Sequence, residues 1–227
     1  MKPTLKISPS ILDQWRCYMD GEFNGKVTEQ DVINYLEGVK VGNQAVWLGR
    51  AVHSMLENTP EKYRMEAYGE VFYFYNEHNF DISLNPLEVE PLIEFCNAYP
   101  HLAYEIPDIK RFVNTVLGYE VMYSLRIDAV EPLVLHEFKT SSSWSKPEFE
   151  FYERSMQWRL YLMAYPDAKC IKYHIFHFTG SGLKKTCERF DFTFFRSPDI
   201  EARVQEYLTS FIQFAEYKGL IDKLILK

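Results

Sequence analysis

Apolar residues return at helical spacing in five stretches of the chain and alternate at strand spacing between them, and this rhythm sets the expected order of elements. Ile11, Leu12, Trp15, Tyr18 and Met19 mark a first helix, with Ser8 or Ser10 placed to cap it beside Pro9. Thr28 and Asp31 form a capping-box pattern ahead of Val32, Ile33, Tyr35 and Leu36. A third helix is predicted from about Asn43 to Glu57, with Leu48, Val52 and Leu56 on one stripe. The stretch from about 60 to 100 is less regular: Val71 to Tyr75 reads as a strand, and Pro91 as the opening of a short helix through Leu92, Ile93, Phe95 and Cys96. An insertion is expected there.

From Ala103 the period falls to two. A short strand is predicted about Tyr104 to Ile106, a longer one about Tyr119 to Val130, and a third from Leu133 to Thr140. Helical spacing returns from Glu148 to Ala164, with Tyr152, Met156, Leu160 and Met163 on the inner face. A hairpin should follow, Lys169 to Thr179 and Lys184 to Phe195 about Gly180-Ser181-Gly182, with Phe190, Phe192 and Phe194 sharing one sheet face. Ser197 and Pro198 start a terminal helix carrying Ile200, Val204, Leu208, Phe211, Ile212 and Ala215, ending near Gly219. The expectation is an α/β (α+β) fold: a mixed central sheet flanked by helices, with an N-terminal helical part, in one domain over residues 1–227.

Composition narrows the function. The hydrophobic share of 47% and aromatic share of 16% belong to a packed core rather than a disordered chain. The net charge of −7 argues against a diffuse basic surface as the main means of holding nucleic acid. It does not exclude a site in which carboxylates hold divalent cations, because the ions reverse the local field. Cys17, Cys96, Cys170 and Cys187 are scattered, without zinc-ribbon spacing, and read as reduced thiols of a cytoplasmic protein. No apolar run is long enough to span a membrane, and no G-x-x-x-x-G-K-[ST] motif points to a nucleotide cofactor.

The chemistry concentrates between Arg126 and Thr140. In a hairpin turning about Pro132-Leu133, Asp128 falls directly opposite Glu137, and opposed carboxylates repel. A hard divalent cation, Mg²⁺ or Mn²⁺, offsets that repulsion. Lys139 shares the sheet face of Glu137, while Phe138 points to the other. The bland alternative is a solvated Glu-x-Lys ion pair of little worth. Upstream, Gly49, His53 and Glu57 lie at successive i, i+4 positions, and His53 can offer a neutral imidazole to a metal. Downstream, Gln157 and Tyr161 share a helix face that could equally be an ordinary polar edge. Lys184, Lys185 and Arg189 near the hairpin tip, with Arg154 and Arg159 near Gln157, are candidate DNA contacts or solvated charge.

The succession Ser8-Pro9-Ser10 with Leu12, Gly49-x-x-x-His53, Arg126-Ile127-Asp128, Glu137-Phe138-Lys139-Thr140 and Gln157-x-x-x-Tyr161 resembles the ordered motifs of the RecB-like branch of the PD-(D/E)XK nuclease superfamily. The resemblance implies a restriction-endonuclease-like core with the site at one end of the sheet. It assigns His53, Asp128 and Glu137 as metal ligands, with the backbone carbonyl of Phe138 as an extra one. Lys139 becomes the catalytic lysine, and Gln157 with Tyr161 the motif that contacts the site or the DNA backbone. Iron–sulfur members carry cysteines in an arrangement that Cys17, Cys170 and Cys187 do not reproduce, so no cluster is expected. The helicase segments of large RecB proteins are absent, which implies a stand-alone enzyme of phage or mobile-element type. The expected function is Mg²⁺- or Mn²⁺-dependent hydrolysis of DNA, as an exonuclease, with unidentified protein partners in recombination or replication left open. A structure- or site-specific endonuclease and a catalytically idle binding module are the alternatives.

Overall fold

The computed structural model describes residues 2–21, 27–39, 44–57, 64–68, 71–75, 81–108, 114–142, 145–181 and 184–226. A short strand, β1 (Leu5–Ile7), runs into α1 (Pro9–Met19), whose start is set by Ser8: its hydroxyl accepts from the Ile11 N–H, and Pro9 takes the first turn, where no N–H is needed. α2 (Glu29–Leu36) begins at the expected capping box, with Thr28 accepting from Asp31 N–H and Asp31 accepting from Thr28 N–H. α3 (Gln44–Leu56) buries Ala51, Val52 and Leu56. The expected start of that helix at Asn43 lies outside the described residues.

Next come β2 (Arg64–Tyr68), β3 (Val71–Tyr75) and β4 (Asp81–Leu84), an antiparallel sheet of their own, and then α4 (Pro86–Ala98). α4 corrects the short helix expected at Pro91. It starts five residues earlier, because Asn85 caps it reciprocally with Glu88 and Pro86 occupies the first turn; Pro91 lies inside the helix. The proline removes only the bond to the carbonyl of Leu87, a solvent-exposed residue.

The remaining strands are β5 (Ala103–Asp108), β6 (Asn114–Val116), β7 (Tyr119–Tyr123), β8 (Leu125–Glu131) and β9 (Val134–Ser141). Then follow α5 (Phe149–Glu153), α6 (Met156–Ala164), β10 (Cys170–Thr179), β11 (Thr186–Phe195) and α7 (Ile200–Tyr217). The main sheet has the order β11-β10-β9-β8-β5, parallel between β9 and β10 and antiparallel elsewhere. β1 pairs with β7 in parallel, and β6 completes that smaller sheet. Helices pack on the main sheet as expected of a mixed α/β fold. Alternation along the strands feeds two cores: Leu135, Tyr173 and Ile175 join Leu12, Leu160 and Phe211 in one, while Phe138, Phe176 and Phe178 join Val52, Leu92 and Phe95 in the other. Among the described residues no helix is long and apolar enough to cross a membrane.

Two expected elements are broken. The strand from Tyr119 to Val130 divides at Ser124, whose N–H donates to the Ile7 carbonyl at 2.8 Å, so that its halves serve different sheets. Tyr119, Val121, Tyr123, Leu125 and Ile127 alternate without interruption, and the pattern carries no trace of the break. The helix from Glu148 to Ala164 divides at Arg154-Ser155, where Ser155 caps α6 and Asp13 of α1 accepts from both Ser155 Oγ (2.7 Å) and Met156 N (2.5 Å). A residue of another helix dictates that boundary.

Candidate metal and phosphate site

β8 and β9 pair through Glu131↔Val134, Val130↔Leu135 and Ala129↔His136, the register expected from a turn at Pro132-Leu133. Leu133 adopts φ 66° to close that turn, a left-handed conformation costly for a branched side chain. One step beyond Ala129, the Asp128 carboxylate enters the space between the strands and accepts from the Phe138 N–H at 2.7 Å. Asp128 and Glu137, both buried, therefore stand at the mouth of a fork in the sheet.

α3 reaches the fork from one side. Gly49 makes the approach possible, since a Cβ there would stand 3.2 Å from Thr140 Oγ1. One turn on, His53 Nδ1 lies 3.5 Å from Asp128 Oδ1, and 3.2 Å from Oε1 of Glu57 one turn further still. One ligand atom from each of His53, Glu57 and Asp128 lies within 4.8 Å of the others, close enough for one ion. Burial opposes the charge on His53, but Asp128, Glu57 and Glu137 together outweigh it and hold its pKa above the ordinary histidine value.

α6 approaches the site with a different network. Lys139 Nζ donates to Glu137 Oε1 at 2.8 Å and to Gln157 Oε1 at 2.6 Å. The Gln157 amide nitrogen donates to Glu137 Oε1 at 2.5 Å and to the Tyr161 hydroxyl at 3.0 Å, and Tyr161 donates to the backbone carbonyl of Arg126. All three polar functions of the amide are thereby used in one orientation. Glu137 Oε2 is buried with no hydrogen-bond partner. Burial, and then Asp128, push the Glu137 pKa up to about 7. Burial also opposes the charge on Lys139, yet Glu137 and Asp128 hold its pKa above the usual lysine value. A buried carboxylate oxygen without a donor beside a three-residue ligand group is what a divalent ion would satisfy.

His53, Asp128, Glu137, Lys139, Gln157 and Tyr161 thus come together. Phe138 enters through its N–H; its carbonyl gains no support as a ligand. Glu57 was legible as part of the Gly49–His53 face, though not as a ligand. The basic candidates separate. Arg159 donates to the carbonyls of Glu153 and Ser155 at the α5–α6 corner, and Arg189 pairs with Asp191 at 3.3 Å on the α4 side of the sheet. Lys184 and Lys185 lie at the β10–β11 tip, and Arg154 follows α5. A cavity of about 250 Å³ adjoins the site beside Lys139, lined by Asp13, Arg16, Tyr152 and Tyr173 among others, and a separate one of about 450 Å³ lies against the hairpin tip.

No family model matches the chain, and no curated protein matches it. Among solved structures, the crystal structure of SSO0001 is similar over 94% of this chain and 78% of its own, at 14% sequence identity and a TM-score of 0.49.

Proposed function

We propose that this chain hydrolyses phosphodiester bonds of DNA with Mg²⁺ or Mn²⁺. The observation that carries the reading is the fork itself, where Asp128 and the unpartnered oxygen of Glu137 meet His53 and Glu57 on one side and the Lys139 ammonium on the other. Asp128, His53 and Glu57 would hold an ion, with Glu137 completing the set. When bound, the ion supplies Lewis-acid polarisation of a phosphate oxygen and water activation.

The chain's own contribution is electrostatic. Lys139, kept charged by its carboxylate neighbours, is placed to stabilise negative charge developing on a phosphoryl oxygen or to orient the attacking water. Gln157 holds the lysine, and Tyr161 ties Gln157 to the β8 backbone; both are positioning residues. A solvated ion pair would not need this support. The test is a gel assay on linear and circular DNA, single- and double-stranded, with Mg²⁺, Mn²⁺ or EDTA. Loss of linear but not circular DNA is expected of the exonuclease, and nicking of circles identifies an endonuclease. No metal-dependent cleavage of any form leaves only a binding module.

A further inference from the structure

Ala45, Gly49, His53 and Glu57 follow one another at i, i+4 along α3 and form a single stripe. Its middle and far end meet the fork. Its first residue, Ala45, lines the larger cavity, together with Leu48 of the same helix, Leu84 of β4 and Phe178 of β10. At 1.5 Å per residue the stripe places Ala45 about 12 Å from His53. The sheet gives the same measure independently: Lys139 pairs with Ile175, and Thr179, another lining residue, lies four residues further along β10, about 13 Å away. None of the cavity's lining residues belongs to the site, from which it is separated by about three to four stacked nucleotides of one strand.

The lining has two kinds of surface. Leu48, Ile82, Leu84 and Phe178 make apolar walls, while Gln44 and Ser142 offer an amide and a hydroxyl that can both donate and accept. Glu88 contributes a buried carboxylate, of which Oε2 accepts from the Asn85 N–H. A carboxylate repels phosphate but accepts well from the exocyclic amino group of a base. Lys185 stands in the same lining, a cation for an adjoining phosphate. A volume of about 450 Å³ is that of a small-ligand pocket and exceeds what one base needs.

Resting on the nuclease reading of the neighbouring site, we propose that this cavity takes an unstacked nucleobase of the strand being cut, so that the substrate carries an unpaired nucleotide about three to four positions from the scissile phosphate. A base within an intact duplex cannot enter a slot between α3, β4 and the hairpin without leaving its stack. Flat apolar faces with polar edges are what distinguish a base from an aliphatic side chain, and the lining here offers both kinds of surface.

The experiment uses the full chain in Ca²⁺ and single-stranded oligonucleotides in which 2-aminopurine is moved one position at a time. A fluorescence rise confined to one or two adjacent positions is expected. Ala45→Trp, which fills the cavity from an exposed helical position, should abolish that rise. In Mg²⁺ or Mn²⁺ it should raise KM on single strands about tenfold, the loss of one stacked base, with kcat unchanged. Gln44→Ala, also exposed and costing no packing, is the second variant and should weaken the signal at the same position. Equal fluorescence at every position, or wild-type KM in Ala45→Trp, overturns the base pocket while leaving cleavage in place. Absence of metal-dependent cleavage by the wild-type chain overturns the nuclease reading and this inference with it.

Discussion

Replacing Glu137 with Gln removes a negative charge and almost no volume from the most strained position of the site. In the metal-free protein its carboxyl is pushed from 4.5 up to about 7, first by burial and then by Asp128. Because the folded state holds this proton more tightly than the unfolded chain, stability is lost as pH rises from about 4.5 through about 7. The difference of two to three pKa units corresponds to roughly 3 kcal/mol once the group is fully charged. The Lys139 contact at 2.8 Å is already contained in that shift, but the amide nitrogen that replaces the unpartnered Oε2 would be a buried donor without an acceptor, so a net gain of about 1–3 kcal/mol is expected for Glu137→Gln at pH 8. For a chain of this length that is a rise in Tm of roughly 2–10 °C. The assay is thermal unfolding of both proteins in EDTA between pH 5 and pH 8. The wild type should lose Tm relative to the variant steadily from pH 5 to pH 8, and Mn²⁺ should raise the wild type at pH 8 far more than the variant. A wild type as stable as Glu137→Gln at pH 8 without metal would show that the carboxylate is not held against its charge.

Lys139→Ala should abolish cleavage on saturating DNA while lowering stability by no more than about 1 kcal/mol, since Glu137 can take up a proton in its place; full activity with Mg²⁺ would remove the lysine from the mechanism. Ion binding must displace the His53 proton, which the three surrounding carboxylates retain, so Mn²⁺ affinity should rise with pH below the His53 pKa and level off above it, with a proton release that calorimetry in buffers of different ionisation enthalpy detects. His53→Asn should reduce that release to the share contributed by Glu137. Converting Lys184 and Lys185 together to Gln should flatten the salt dependence of DNA binding without changing kcat; an unchanged salt slope would assign both to the solvated tip. Leu133→Asn, at the left-handed turn position, should stabilise the chain by up to about 1 kcal/mol in denaturant unfolding, and a loss of stability would mean that the leucine side chain contributes packing there.

What could be read from the sequence was local. Thr28 and Asp31 sit three residues apart and cap each other whatever the rest of the chain does, and the Pro132-Leu133 turn set the β8–β9 register with it. What could not be read depended on partners distant in sequence. Asp13 ends α5 and starts α6 from across the fold, and Ser124 is turned into a junction by the Ile7 carbonyl, while the residues on either side of it keep perfect alternation. Asn85 was the missed signal at α4, overshadowed by the more conspicuous Pro91. At the site, the face bearing His53 was evident from spacing. Glu57 needed the fold to show that its carboxylate ends within 3.2 Å of the imidazole, and the precise use of Gln157 needed both its neighbours.

The single permitted orientation of the Gln157 amide has an entropic consequence. A lysine side chain ordinarily carries about 2 kcal/mol of rotamer freedom, which a flexible ammonium surrenders when it meets a ligand. Lys139 surrenders it when the chain folds, because turning the amide over would break its bonds to the lysine, to Glu137 and to Tyr161 at once. Any phosphate reaching the fork therefore meets a cation already in place, and that share of the ordering cost has moved from binding into folding.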